Sequence, residues 1–150
     1  MDADKEELLD KISDYCMELL EEAKNDPSKL PIPIQTVIAI YSAQGIIDNG
    51  SFQYFFESDF PQTPPYSFFS DAYRRIGAEK AARNIELAVG MFGFPDPHLQ
   101  IEKRRSFLDR IMDDDNSPFH ELGDEVCGDE SVWEKLADYV IVKTSDFEIP

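Results

Sequence analysis

Between Asp4 and Lys24, Leu8, Leu9, Ile12, Tyr15, Cys16, Leu19, Leu20 and Ala23 recur at the three- and four-residue spacing of a helix with one buried face. At about 100° per residue they fill about 140° of arc. Glu7, Asp10, Asp14, Glu18 and Glu21 form a continuous stripe on the opposite side. Asn25-Asp26-Pro27 and Pro31-Ile32-Pro33 interrupt the pattern, since proline lacks the N–H that a helix interior uses. A second helix is expected from Ile34 to Asp48, opened by Pro33 and apolar nearly all round, which puts it at the centre of the fold. Asn49-Gly50 supplies a left-handed stop, and Ser51 stands where an N-cap would begin a new helical segment. That segment packs Phe52, Tyr54, Phe55 and Phe56 into five positions. Three or more of these rings must be buried for the chain to stay in solution, so the block is the expected hub of the core.

Asp59 to Pro65 is too rich in proline for a helix or a central strand and reads as a rigid connector. Helical periodicity returns at Phe68, Phe69, Ala72, Tyr73 and Ile76, stops at Gly77, and resumes from Ala78 to Phe92 through alanines that allow close backbone approach. After Gly93-Phe94-Pro95 a helix is expected from Leu99 to Met112, ended by Asp113-Asp114-Asp115-Asn116. Ser117-Pro118 reads as a cap and first turn for a short helix carrying Phe119 and Leu122, and Asp129 as the cap of a last helix through Val140. Ile141-Val142 favours an extended tail. No segment alternates with a period of two, so the expectation is one all-α domain of about six to eight helices spanning residues 1–150.

The segment Asn49-Gly50-Ser51-Phe52-Gln53-Tyr54-Phe55 resembles the Asn-Gly-Gly-Phe-x-Gln-Tyr-Phe signature of a bacterial family long labelled a domain of unknown function, whose named member is a DNA-mimic protein. Ser51 stands where that family usually has a second glycine. The likeness continues through Ala72, Ile76-Gly77-Ala78, Ala82, Ala88 and Phe92-Gly93, and more faintly from Arg104 to Ile111. The resemblance is best over about residues 41–111, and it implies the fold, a DNA-mimicking role and a homodimer. The acidic positions used for mimicry are not among the matched residues.

Charge changes the picture. Residues 1–26 hold ten acids and three bases, residues 27–108 eight of each, and residues 109–150 thirteen acids and three bases, giving the chain its net charge of −17. Hydrophobic content of 42% is too high for a disordered chain at that charge, so the acids must lie outside a folded core. Scarce Lys and Arg argue against binding nucleic acid or an anionic membrane, and for a basic partner or plain solubility. No run is long and apolar enough for a membrane span and the first residues lack a signal-peptide pattern, so a cytoplasmic location is expected.

Little else points to chemistry. Cys16 and Cys127 read as packing thiols. His98 and His120 read as exposed singletons without metal spacing, and Asp113-Asp114-Asp115-Asn116 lacks the order of a calcium loop, so no metal or cofactor is expected. Asn49 and Gln53 are expected to satisfy backbone groups at the helix junction.

The leading reading is a non-catalytic interaction protein that presents carboxylates to a basic DNA-binding protein. Glu7, Asp10, Asp14, Glu18 and Glu21 form one candidate surface, and Asp113, Asp114, Asp115, Asp124 and Glu125 the other. A solvated acidic face without a partner is the plain alternative for either. An immunity or antitoxin protein against a basic nuclease would use the same acidity. An enzyme with a carboxylate site near Asp48, Glu57 and Asp59 is the alternative of a different class.

Overall fold

Prolines and glycines set the helix ends in the computed structural model, which describes residues 1–147. The order is α1 (Ala3–Glu22), α2 (Ile32–Glu57), α3 (Ser67–Arg75), α4 (Glu79–Met91), α5 (Ile101–Ile111), α6 (Pro118–Asp124) and α7 (Glu130–Val142), with short 3₁₀ turns at Pro27–Lys29, Pro97–Leu99 and Thr144–Asp146. Among the described residues there is no strand. The caps are local chemistry. Asp2 Oδ1 accepts from Lys5 N at 2.9 Å, Ser117 Oγ from Phe119 N at 3.3 Å and Asp129 Oδ1 from Ser131 N at 3.0 Å. Gly77 (φ 85°) closes α3, where Ala78 N reaches back to Tyr73 O at 2.8 Å. The expected extended tail at Ile141-Val142 is helical, because the strand preference of two β-branched residues is weaker than continuation of a packed helix.

α2 is the axis. α1 packs on α2 and α7, α3 on α2 and α4, and α6 on α2 and α4, while α5 reaches α2 near its end. Met1 lies beside Glu134 and Lys5 beside Asp138, so α1 and α7 run parallel. The central helix departs from expectation at its middle. It continues from Ile32 through Asp48 to Glu57, bent at Gly50 (φ −162°, ψ 21°) and Ser51 (φ 58°, ψ −155°). The left-handed backbone therefore falls on Ser51, not on Gly50. Nor does Ser51 cap the second limb, since its hydroxyl is buried with no partner among the described residues. Gly50 is needed for space instead: a methyl there would lie 2.0 Å from Tyr54 Cγ. On the inner side of the elbow Gly123 of α6 presses so closely that a methyl would sit 2.3 Å from Ser51 Oγ and 2.7 Å from Phe52 N.

This close seating delivers the aromatic hub. Phe52, Phe55 and Phe56 are fully buried, while Tyr54 points outward. Phe56 meets Phe55 at 4.9 Å between centroids, Phe92 at 5.3 Å and Phe119 at 5.4 Å, and Phe119 meets Phe107 at 5.6 Å. Each such pair adds about 0.5–1.5 kcal/mol beyond burial of its area. The proline-rich connector is tied down by Phe60 against Phe69 at 4.7 Å.

Candidate functional site

Every residue of the first candidate set is exposed along α1. From Glu7 to Glu21 the stripe runs about 21 Å at 1.5 Å rise per residue, comparable with about six phosphate steps of one DNA strand. Glu7 is bridged to Lys11 at 3.7 Å. Among the described residues no ion pair reaches Asp10, Asp14, Glu18 or Glu21. The parallel neighbour α7 adds Glu130, Glu134 and Asp138, four residues apart. Asp138 takes Lys5 at 3.0 Å, and that hydrogen bond holds the Lys5 ammonium above its usual range. The α7 acids went unassigned in the sequence because nothing in their spacing places them beside α1.

In the second set, Asp113, Asp114 and Asp115 occupy the exposed turn between α5 and α6, and Asp124 ends α6. None of these four has an ion-pair partner among the described residues. Glu125 differs, since it is exposed but engaged by Asn84 Nδ2 at 3.0 Å and Lys80 Nζ at 3.3 Å, which keep its carboxyl below the usual carboxylate range. The first set lies on α1 and the second on the α5–α6 turn and the end of α6, separate elements that each pack on α2.

Four of the eight bases of the middle third, Arg74, Lys80, Arg104 and Arg105, form ion pairs within the fold. Arg74 grips Glu86 through both guanidinium nitrogens, 2.9 Å from Nη1 and 2.5 Å from Nη2, and reaches Glu79 at 3.2 Å. Arg105 takes Asp59 at 3.1 Å. Arg104, which in the sequence only opens the fainter part of the family likeness, is 1% exposed. Its Nε donates to Phe56 O at 2.7 Å, its Nη1 to Pro97 O at 2.7 Å and its Nη2 to Asp59 Oδ1. A cation thus closes the Phe56 carbonyl in the last turn of α2, where the helix dipole favours it.

The carboxylates proposed for catalysis are similarly engaged. Asp48 accepts from Gln44 Nε2 at 2.7 Å, Gly128 N at 2.8 Å and Trp133 Nε1 at 3.1 Å, and Gln44 in turn accepts from Tyr73 at 2.9 Å. This chain of bonds joins α3, α2 and α7. Glu57 takes Gln53 Nε2 at 2.8 Å and Asp59 holds the two arginines, so the three acids do not converge on one cavity. Asn49 does serve the backbone, donating to Gly45 O at 2.7 Å, whereas Gln53 reaches only Leu108 O at 3.4 Å.

The histidines are half-buried rather than exposed. His98 lies edge-on to Tyr66 at 6.3 Å, and His120 Nε2 is 2.7 Å from Ile111 O. Among the described residues no three His, Cys, Asp or Glu side chains are grouped as metal ligands. Burial pushes the Cys16 thiol up to about 12, which suits packing rather than nucleophilic attack. No helix among the described residues is long and apolar enough to cross a membrane.

An all-α domain built on a bent central helix, with acids at both ends of the chain, is the class these observations define. A family profile described as DMP19-like protein matches residues 28–144, wider than the 41–111 on which the likeness was read. The chain therefore belongs to the DMP19-like protein family. Neither a curated protein nor a solved structure gives a significant match. The match covers the elbow, the aromatic hub and the Asp113–Glu125 region, but not α1.

Proposed function

We propose that this protein is a non-catalytic, cytoplasmic interaction protein that offers a DNA-like array of carboxylates to a basic DNA-binding protein and competes with DNA for it. The observation that carries the reading is the row Asp10, Asp14, Glu18 and Glu21, exposed and without ion-pair partners among the described residues, while Arg74, Arg104 and Arg105 of the middle third close bonds inside the fold. Charges about 6 Å apart repel by some tenths of a kcal/mol even in water. Such an array is costly when free and favourable when it meets Lys and Arg. Asp113, Asp114, Asp115 and Asp124 are the second contact region, and Glu125 contributes less because Lys80 already neutralises it. A homodimer would double the array.

The test is retention of host proteins on the immobilised wild type and on an Asp10→Asn, Asp14→Asn, Glu18→Gln variant. DNA-binding proteins should be retained at low salt, released by duplex DNA and by NaCl as the screening length falls below about 8 Å, and lost from the variant. Retention by the variant equal to wild type, or release by neither DNA nor salt, refutes the proposal. Sedimentation of the free protein gives the oligomeric state.

A further inference from the structure

The outer side of the α2 elbow carries a shallow groove of about 650 Å³, bounded by Ser42, Gly45, Ile46 and Asn49 on the first limb and by Tyr54 and Glu57 on the second. Two of its features are not required by the fold. Gly45 lies inside a helix, where glycine costs stability relative to alanine, yet a methyl there would meet nothing within 4 Å. Its missing side chain keeps the groove floor open. Tyr54 is 53% exposed, and its ring sits close over Gly50, so it is presented to solvent in a fixed position without serving the core.

The polar rim is acceptor-rich. Asn49 spends its Nδ2 on Gly45 O, which leaves its Oδ1, and Glu57 gives Oε1 to Gln53, which leaves Oε2. No Lys or Arg lines the groove. A flat aromatic ring, an apolar floor at Ile46 and a carboxylate at the edge suit a guanidinium with its aliphatic stem, which stacks on aromatic faces and pairs with carboxylates more effectively than an ammonium does. The charged side chain among the groove's lining residues is the carboxylate of Glu57, so charge complementarity selects a cationic occupant.

We propose that the α2 elbow groove is an arginine-docking site, in which an arginine of the basic partner stacks on Tyr54 and pairs with Glu57. The proposal rests on the cationic-partner reading above and adds a specific anchor to it. Octa-arginine and octa-lysine peptides serve as probes, with binding followed by fluorescence anisotropy at physiological ionic strength and by the Tyr54 ring resonances. The wild type should favour octa-arginine by about three- to tenfold. Tyr54→Ala and Gly45→Leu, which remove the ring and fill the floor at positions where the fold has room, should abolish that preference, and Tyr54→Phe should keep it. The α1 variant Asp10→Asn, Asp14→Asn, Glu18→Gln should weaken both peptides equally and leave the preference intact, so groove and stripe fail separately. An arginine preference that survives both Tyr54→Ala and Gly45→Leu overturns the proposal. So does a wild-type dimer that Tyr54→Ala converts to monomer, since the groove would then hold a second copy.

Discussion

Ser51→Gly should stabilise this protein. Ser51 holds φ 58° and ψ −155°, a region that only glycine visits freely, and such a residue costs about 1–3 kcal/mol. Its hydroxyl is buried without a partner among the described residues, and an unsatisfied buried donor adds about 1–3 kcal/mol. Glycine removes both costs but gives back about 0.5–1 kcal/mol through the larger entropy of the unfolded chain. Taking the lower half of each range leaves a net gain of about 2 kcal/mol, worth about 4–8 °C in Tm for a chain of this size. Thermal and urea unfolding followed by circular dichroism read the change, with Ser51→Ala as the control that removes the hydroxyl and keeps the strain. Alanine should recover less than glycine. A Ser51→Gly protein with a Tm at or below wild type would refute the argument, and an alanine variant equal to glycine would assign the whole effect to the hydroxyl.

Gly123→Ala should cost about 1–3 kcal/mol by overpacking α6 against the elbow, because its methyl would meet Phe52 N at 2.7 Å as well as Ser51 Oγ at 2.3 Å. Ser51→Gly should relieve only part of that loss, and the double variant's urea midpoint reads it. Arg104→Met should lower stability by about 2–4 kcal/mol, since it strips donors from buried carbonyls and leaves Asp59 to Arg105 alone; a urea midpoint equal to wild type would show the latch to be dispensable. Glu86 is held below its ordinary range chiefly by the Arg74 hydrogen bond, so its contribution is present above the unfolded carboxylate pKa and fades as pH falls through the folded value. In a comparison of Tm against pH, Glu86→Gln should therefore fall short of wild type at neutral pH and converge with it in acid. A constant gap would refute the pairing argument.

The helix ends were legible because their determinants are local. Ser117-Pro118, Asp129, Gly77 and the proline runs act within a turn of their own residues, and the structure places each end within a few positions of expectation. The charge geography was equally readable, as was the burial of Phe52, Phe55 and Phe56. What could not be read depends on partners distant in sequence. The conformation of Ser51 is fixed by α6 closing on the elbow, and Arg104 acquires its role only when the end of α2 and Pro97 are brought to it. Asp48, readable from the sequence as a candidate catalytic carboxylate, becomes a strut only once Trp133, 85 residues away, packs beside it.

α1 touches the rest of the molecule through one side only, against α2 and α7, and it stands outside the span matched by the family profile. Its outward positions can therefore be rewritten without disturbing the elbow or its ring cluster. Relatives could keep one chassis and exchange the helix laid across it, so that a change of client would require new lettering on a single exposed edge rather than a new architecture.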